Sequence, residues 1–195
     1  MVLCLLPSIS QGSGIDPHLR KYLYVELSQH QRAAIQPHEH LILYFSSLSY
    51  FRPGYTVNPD FIRALMLAES GGNCLAVSGK KALGLCQLLY PTAREAADEF
   101  LARGGRVRYV SSERLQTLKP ADLFEPAVNI LLTCYLVAKY NQVYEGRLDL
   151  VVAAWNAGQG SIRNGQPPKY PETMNLIGKV NGLLLALNKR GRAAQ

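Results

Sequence analysis

Glu69 is the first side chain in this sequence with the setting of a reactive group. It closes an apolar run, Leu65-Met66-Leu67-Ala68, and is followed by Ser70, Gly71 and Gly72. A carboxyl group where a helix meets a loop can face a cleft while apolar neighbours strip its water. Desolvation disfavours the ionised form, so such a group keeps a proton to donate near neutrality, as a general acid must. On position alone, an ordinary surface glutamate at a helix end is the better reading. The other reactive types are less promising. His38-Glu39-His40, with His30 upstream, lacks the HExxH spacing and no Cys or Asp cluster completes a site, so a solvated loop is expected and no metal. Cys4, Cys74, Cys86 and Cys134 form no CxxC pair, which argues against a zinc site or a thioredoxin-like redox motif. Cys74 and Cys86 are the one pair that a short loop could join as a disulfide; two buried thiols are the alternative.

The elements that must position Glu69 read as helices. Asn58-Pro59 supplies an N-cap and a first-turn proline, Phe61, Ile62, Leu65, Met66 and Ala68 follow at helical spacing, and Gly71-Gly72 stops the run. Upstream, Asp16-Pro17 gives the same start signal, with helical spacing from Leu19 to about Ile35 and a second apolar stretch over Leu41–Phe51. Thr92 and Glu95 have capping-box spacing for a helix through Ala102. A longer helix is predicted from Pro126 to about Tyr144, a short one over Leu148–Trp155, and a last one over Glu172–Leu187. Segment 73–91 resists a helical reading because Gly79, Gly84 and Pro91 break it, and short extended pieces fit there. The fold class is mostly α, arranged around the helix that ends in Glu69.

An ordered series of motifs surrounds that helix. After Glu69-Ser70 come Ser78, then Ala82-Leu83-Gly84-Leu85-Cys86-Gln87, Pro91-Thr92-Ala93, Pro126 with Asn129-Ile130, Ala153-Ala154-Trp155-Asn156-Ala157-Gly158, and Tyr170-Pro171-Glu172-Thr173. Over about residues 58 to 182 this series resembles the catalytic domain of the soluble lytic transglycosylases, α-helical enzymes with a goose-lysozyme-like fold that cleave peptidoglycan. The resemblance implies that Glu69 is the sole catalytic acid and that Ser78 hydrogen-bonds near the substrate's N-acetyl group. It further implies that Gln87, Trp155 and Asn156 line the sugar cleft and that Glu172 binds or orients. Each has a plainer reading: Ser78 as a turn residue, Gln87 as a structural hydrogen-bonder, Trp155 as a core aromatic, Glu172 as a helix N-terminal acid favoured by the dipole.

A single acid fits that family's chemistry. Ordinary glycosidases use two carboxyl groups, and no second Asp or Glu near Glu69 in sequence claims the second role. The resemblance therefore implies a substrate that supplies its own nucleophile, 1,6-anhydromuropeptide products, and no metal or other cofactor. A lysozyme-type hydrolase on the same fold and a non-catalytic wall-binding module are the alternatives. The chain also departs from the family pattern. Cys86 stands in place of Met, Trp155 in place of Tyr, and Lys81 in place of Gly. Leu176 replaces the tyrosine that usually follows the Glu-Thr pair near the acid, so another tyrosine would have to substitute for its hydroxyl.

Composition sets the outer bounds. The chain has 195 residues, 48% of them hydrophobic and 18% charged, which excludes disordered and low-complexity classes. Its longest apolar stretches fall short of the ~20 residues that cross a bilayer, so no transmembrane segment is expected. Lys and Arg number 21 against 14 Asp and Glu, and the net charge of +7 suggests an anionic partner. Arg103, Arg106, Arg108, Arg114 and Lys119 crowd one stretch, for which a solvated face is the plain reading. No nucleic-acid signature of fixed spacing accompanies them, and no nucleic acid is expected. Residues 1–57 read as a helical N-terminal extension of unknown role, 58–188 as the transglycosylase-like domain and 189–195 as a basic tail. Met1–Ser10 is apolar without a preceding Lys or Arg, a poor secretory signal. The resemblance implies peptidoglycan strands as partner in the periplasm or cell envelope, and permits a place beside a secretion, conjugation or pilus assembly.

Overall fold

The computed structural model describes residues 17–193. Cys4, the Met1–Ser10 stretch, Asp16 and the end of the basic tail lie outside the described residues. The described chain is a stack of helices: α1 (Pro17–Arg20), α2 (Gln29–Ile35), α3 (Glu39–Ser46), α4 (Pro59–Glu69), α5 (Tyr90–Ala102), α6 (Ser112–Gln116), α7 (Pro126–Tyr144), α8 (Leu148–Ala157) and α9 (Pro171–Ala193). Segment 73–89 carries only isolated antiparallel bridges, Val77 with Leu83 and Leu83 with Leu88. No strand forms among the described residues. In the same residues, no helix is long and apolar enough to cross a membrane.

The most enclosed helix is α7, not α4. Every residue from Val128 to Val137 is buried, so α7 is apolar all round and sits inside the core. α4 begins as its sequence dictates: Asn58 Oδ1 accepts the Asp60 N–H at 2.8 Å, and Pro59 takes the position where a missing N–H costs nothing. It packs against α9, α3, α2 and α7. Arg63 fastens α4 to α3 through both carboxylate oxygens of Glu39 and holds Asp60 at 2.6 Å. Glu39 is thus an ion-pair partner, and the His40 ring beside it packs edge-on against Tyr109.

Among the helix boundaries that differ from their sequence signals, two have a visible local cause. The run from Leu19 to Ile35 is not continuous: residues 21–28 are non-helical, and α2 starts afresh at a Ser28–Gln31 capping box. The backbone of α1 and of the break after it lies against α9, where a Cβ on Gly178 or Gly182 would stand 2.4 Å from His18 O or 2.3 Å from Tyr22 O. α5 starts at Tyr90, two residues before Thr92, because Pro91 fits the first turn and Leu89 takes the cap position without a side-chain bond. Leu27, Ile35, Leu41, Ile42, Phe45 and Val57 belong to the same buried cluster as α4 and α7.

Candidate active site

The cleft is built around the C-terminal end of α4. Gly71 and Gly72, at φ of +66° and +88°, turn the chain out of the helix where a side chain would be strained. Ser70, the residue after Glu69, staples that end to the following loop: its Oγ donates to Leu85 O at 2.6 Å and accepts the Gly72 N–H at 3.1 Å. Lys179 on α9 donates to Ala68 O at 2.5 Å, putting a cation on the carbonyl end of α4.

The loop over 73–89 hangs from one buried amide. Asn129 on α7, fully buried, donates to Leu83 O at 3.0 Å and Leu123 O at 2.8 Å and accepts the Cys86 N–H at 3.0 Å. Gly84 passes beneath it with φ +75°, and a Cβ there would meet Leu123 O at 2.2 Å and Asn129 Nδ2 at 2.5 Å. Only glycine fits. Beyond it Gln87 adopts φ +54°, and its amide donates to Ala76 O at 3.1 Å and Gly84 O at 2.9 Å. At the loop's tip Ser78 Oγ accepts the Ala82 N–H at 3.0 Å, and Lys81 occupies the left-handed region at φ +62°, the conformation a glycine at that position would supply freely.

The proposed disulfide does not form. Cys74 and Cys86 are both free thiols, Cys74 half-buried and Cys86 fully buried. The tip turn folds the loop back, and Asn129 draws the Cys86 backbone inward against α7. There its thiol bonds with Thr133, and burial pushes its pKa up to about 12.

A cleft of about 330 Å³ opens between this loop, the end of α4, the end of α8 and the start of α9. Glu69, Ser78, Gln87, Trp155, Asn156 and Glu172 all line it, together with Gly79, Lys80, Ala82 and Leu89. These residues come from four separated stretches of chain. Trp155 Nε1 donates to Glu69 Oε1 at 3.0 Å. Asn156 Oδ1 accepts the hydroxyl of buried Thr173 at 2.7 Å, fixing the amide across the α8–α9 junction.

The two carboxyl groups are driven apart. Burial raises the Glu69 pKa to about 7 and the nearby Glu172 charge adds to this, while the Trp155 hydrogen bond and the Lys179 cation pull the other way. Glu172 is held below the usual range by the Lys80 ammonium, 2.7 Å away, with a further contribution from the Asn156 amide. Near neutral pH a large share of Glu69 keeps its proton while Glu172 is ionised.

Sequence reasoning missed Lys80 and Lys179. Lys80 finds its partner 92 residues away, and Lys179 meets the end of α4 111 residues upstream, so neither pairing leaves a local signal. Leu176, at the position of the expected tyrosine, is buried in the core. The donor on Glu69 is an indole N–H rather than a tyrosine hydroxyl.

The fold and cleft have known counterparts. The transglycosylase SLT domain family matches residues 52–173, and the chain belongs to that family. Among solved structures it is similar to the 70 kDa soluble lytic transglycosylase of Escherichia coli, at 20% identity and a TM-score of 0.62 over 78% of this chain. It is also similar to an inactive variant of the lytic transglycosylase Slt of Pseudomonas aeruginosa, at 22% identity and a TM-score of 0.55 over 84% of this chain. The matches cover 24% and 25% of those two proteins, so the chain corresponds to about a quarter of either.

Proposed function

We propose that this protein is a peptidoglycan lytic transglycosylase. It cleaves the β-1,4 bond between N-acetylmuramic acid and N-acetylglucosamine and leaves 1,6-anhydromuropeptides. The observation that carries this reading is Glu69: a desolvated carboxyl at the wall of the cleft, with its pKa raised to about 7 and one oxygen fixed by Trp155. In the proposed course Glu69 protonates the glycosidic oxygen while the N-acetyl carbonyl attacks the anomeric carbon, giving an oxazolinium-type intermediate. Ser78, whose oxygen already accepts the Ala82 N–H, has its own O–H to donate to the acetamido group. The ionised Glu69 then takes the proton of the sugar's 6-hydroxyl as O6 attacks the anomeric carbon and reopens the oxazolinium ring. Glu69 gives one proton to the leaving oxygen and regains another from O6, so it ends protonated as it began and no water is consumed. Gln87, Asn156 and Glu172 serve as walls and hydrogen-bonding groups for the sugars.

The family membership and the names of both similar structures support this reading. It assigns the protein to the periplasm or cell envelope, where local opening of the wall would serve a secretion, conjugation or pilus assembly. The described part of the N-terminal extension, residues 17–57, braces α4 and α9 in this reading and lines no part of the cleft. One observation favours a second reading, a hydrolase: Glu172 shares the cleft and stays ionised, as a base for water would. Digestion of purified peptidoglycan by the wild type and Glu69→Gln, followed by mass spectrometry, separates the cases. Anhydromuropeptides from the wild type alone are expected. Reducing-end products would establish the hydrolase, and no product from folded protein would leave a wall-binding module.

A further inference from the structure

A group of four arginines gathers away from the cleft. Segments 47–57, before α4, and 103–111, after α5, hold Arg52, Arg103, Arg106 and Arg108 and contain no Asp or Glu. The two segments adjoin in space. The Arg103 guanidinium lies 4.6 Å from the Phe51 ring centre, and the Arg108 N–H donates to the Tyr44 hydroxyl at 3.0 Å. All four arginines are exposed, and none has a carboxylate at ion-pair distance among the described residues, although Arg103 also bonds the Tyr135 hydroxyl, which donates to Glu99. Arg114, from the same basic stretch, differs: it is paired with Asp122 at 2.8 Å and Glu125 at 3.8 Å.

This surface and the cleft occupy opposite ends of two helices. α4 starts beside it and ends at Glu69, and α5 starts at the cleft residue Leu89 and ends beside it. At 1.5 Å per residue, those helices separate the two by roughly 16 and 20 Å. The arginines are therefore not part of the sugar site.

The chemistry of the patch narrows its partner. Arg52 lies over Tyr55, Arg103 over Phe51 and Arg108 over Tyr109. Tyr109 is further enclosed edge-on by His40, Tyr44 and Phe45. Single-stranded nucleic acid needs open ring faces on which bases stack, and here each of these rings already has a guanidinium against it. A guanidinium stacked on a ring still presents its in-plane N–H edge, which suits a phosphate oxygen. Tyr55 and Tyr109 are 69% and 40% exposed, and exposed tyrosines among arginines suit the level of lipid headgroups. A fluid headgroup layer can bring a phosphate under each guanidinium without matching a fixed pattern.

We propose that this end of the molecule docks on an anionic phospholipid surface. Arg52, Arg103, Arg106 and Arg108 take headgroup phosphates, and the cleft faces away from the bilayer. The test is flotation of the whole chain with phosphatidylcholine vesicles, with and without phosphatidylglycerol. Binding is expected only with phosphatidylglycerol and is lost in high salt. Arg106→Gln with Arg108→Gln weakens it roughly thirtyfold, and Arg52→Gln with Arg106→Gln does the same. Far-UV circular dichroism checks that both variants fold. Equal binding to neutral vesicles, no binding to anionic ones, or unchanged binding by both variants would overturn the proposal. So would tighter binding of polyglutamate or of an oligonucleotide, which would assign the patch to an acidic protein or a nucleic acid.

Discussion

Replacing Trp155 by Phe takes one N–H from the cleft and little else. The indole donates to Glu69 Oε1 at 3.0 Å, and a phenyl ring keeps the apolar wall while removing that donor. A hydrogen bond to a charged partner contributes about 1.5–3 kcal/mol. A protonated carboxyl accepts more weakly, so the ionised form loses roughly 1.5 kcal/mol more than the neutral one, or about one pKa unit. Burial already holds Glu69 at about 7 against the opposing pull of Trp155 and Lys179. Without the indole only Lys179 opposes it, and the carboxyl rises by about that further unit. In the proposed mechanism the protonated acid is the active form, so the alkaline limb of kcat/KM reports its pKa in the free enzyme. The limb should move about one unit to higher pH in Trp155→Phe, measured as anhydromuropeptide release between mildly acidic and alkaline buffers. The turnover number should fall at the same time, because the oxygen is no longer fixed in place. A purely structural role for Trp155 would lower the rate and leave the limb where it was. A limb that stays still, or moves to lower pH, refutes the reasoning.

Two further outcomes follow from the same site. Because the Glu69 pKa is raised from 4.5 to about 7, its ionisation opposes folding by up to about 3 kcal/mol above pH 7. Glu69→Gln should therefore be the more stable protein at pH 8 in urea unfolding. Its advantage should shrink between pH 7 and 4.5 and vanish below, where the wild-type carboxyl is protonated in both folded and unfolded chains. Equal stability of the two at pH 8 would count against a desolvated acid. Asn129→Ala removes three hydrogen bonds and strands buried backbone groups, a loss of about 3–5 kcal/mol. Chemical denaturation measures it, and a change below about 1 kcal/mol would mean that the loop is held by something else.

What could be read from the sequence was what is written locally. The start of α4 at Asn58-Pro59 and the span of α7 from Pro126 to Tyr144 rest on caps, prolines and apolar spacing within a few residues. The order of the motifs named six of the ten residues that line the cleft, although no local signal says that positions 69 and 155 meet. The break before α2 was written in Ser28 and Gln31, but apolar spacing from Leu19 masked it. The start of α5 was misplaced because Thr92 and Glu95 imitate a capping box while Pro91 sets the first turn. Cysteine spacing left open a bond between Cys74 and Cys86 or two buried thiols; both are free, Cys86 buried and Cys74 half-buried. Lys80, Lys179 and the indole on Glu69 each depend on partners more than 80 residues distant, and only the packed fold brings them together.

The Asn129 bracket also limits how the cleft can diversify. Residue 84 has no room for a side chain while Asn129 and the Leu123 carbonyl stand where they do. Changing residue 129 removes the bonds to Leu83 O and the Cys86 N–H on either side of Gly84. The two positions are therefore locked to each other, and a library that randomises either one alone would return mostly unfolded protein. The tip residues Ser78 to Lys81 carry no such lock: Gly79 has nothing within 4 Å of an added Cβ, and the Lys80 side chain is mostly exposed. Efforts to redirect the cleft toward other glycans would begin at the tip and leave its anchor untouched.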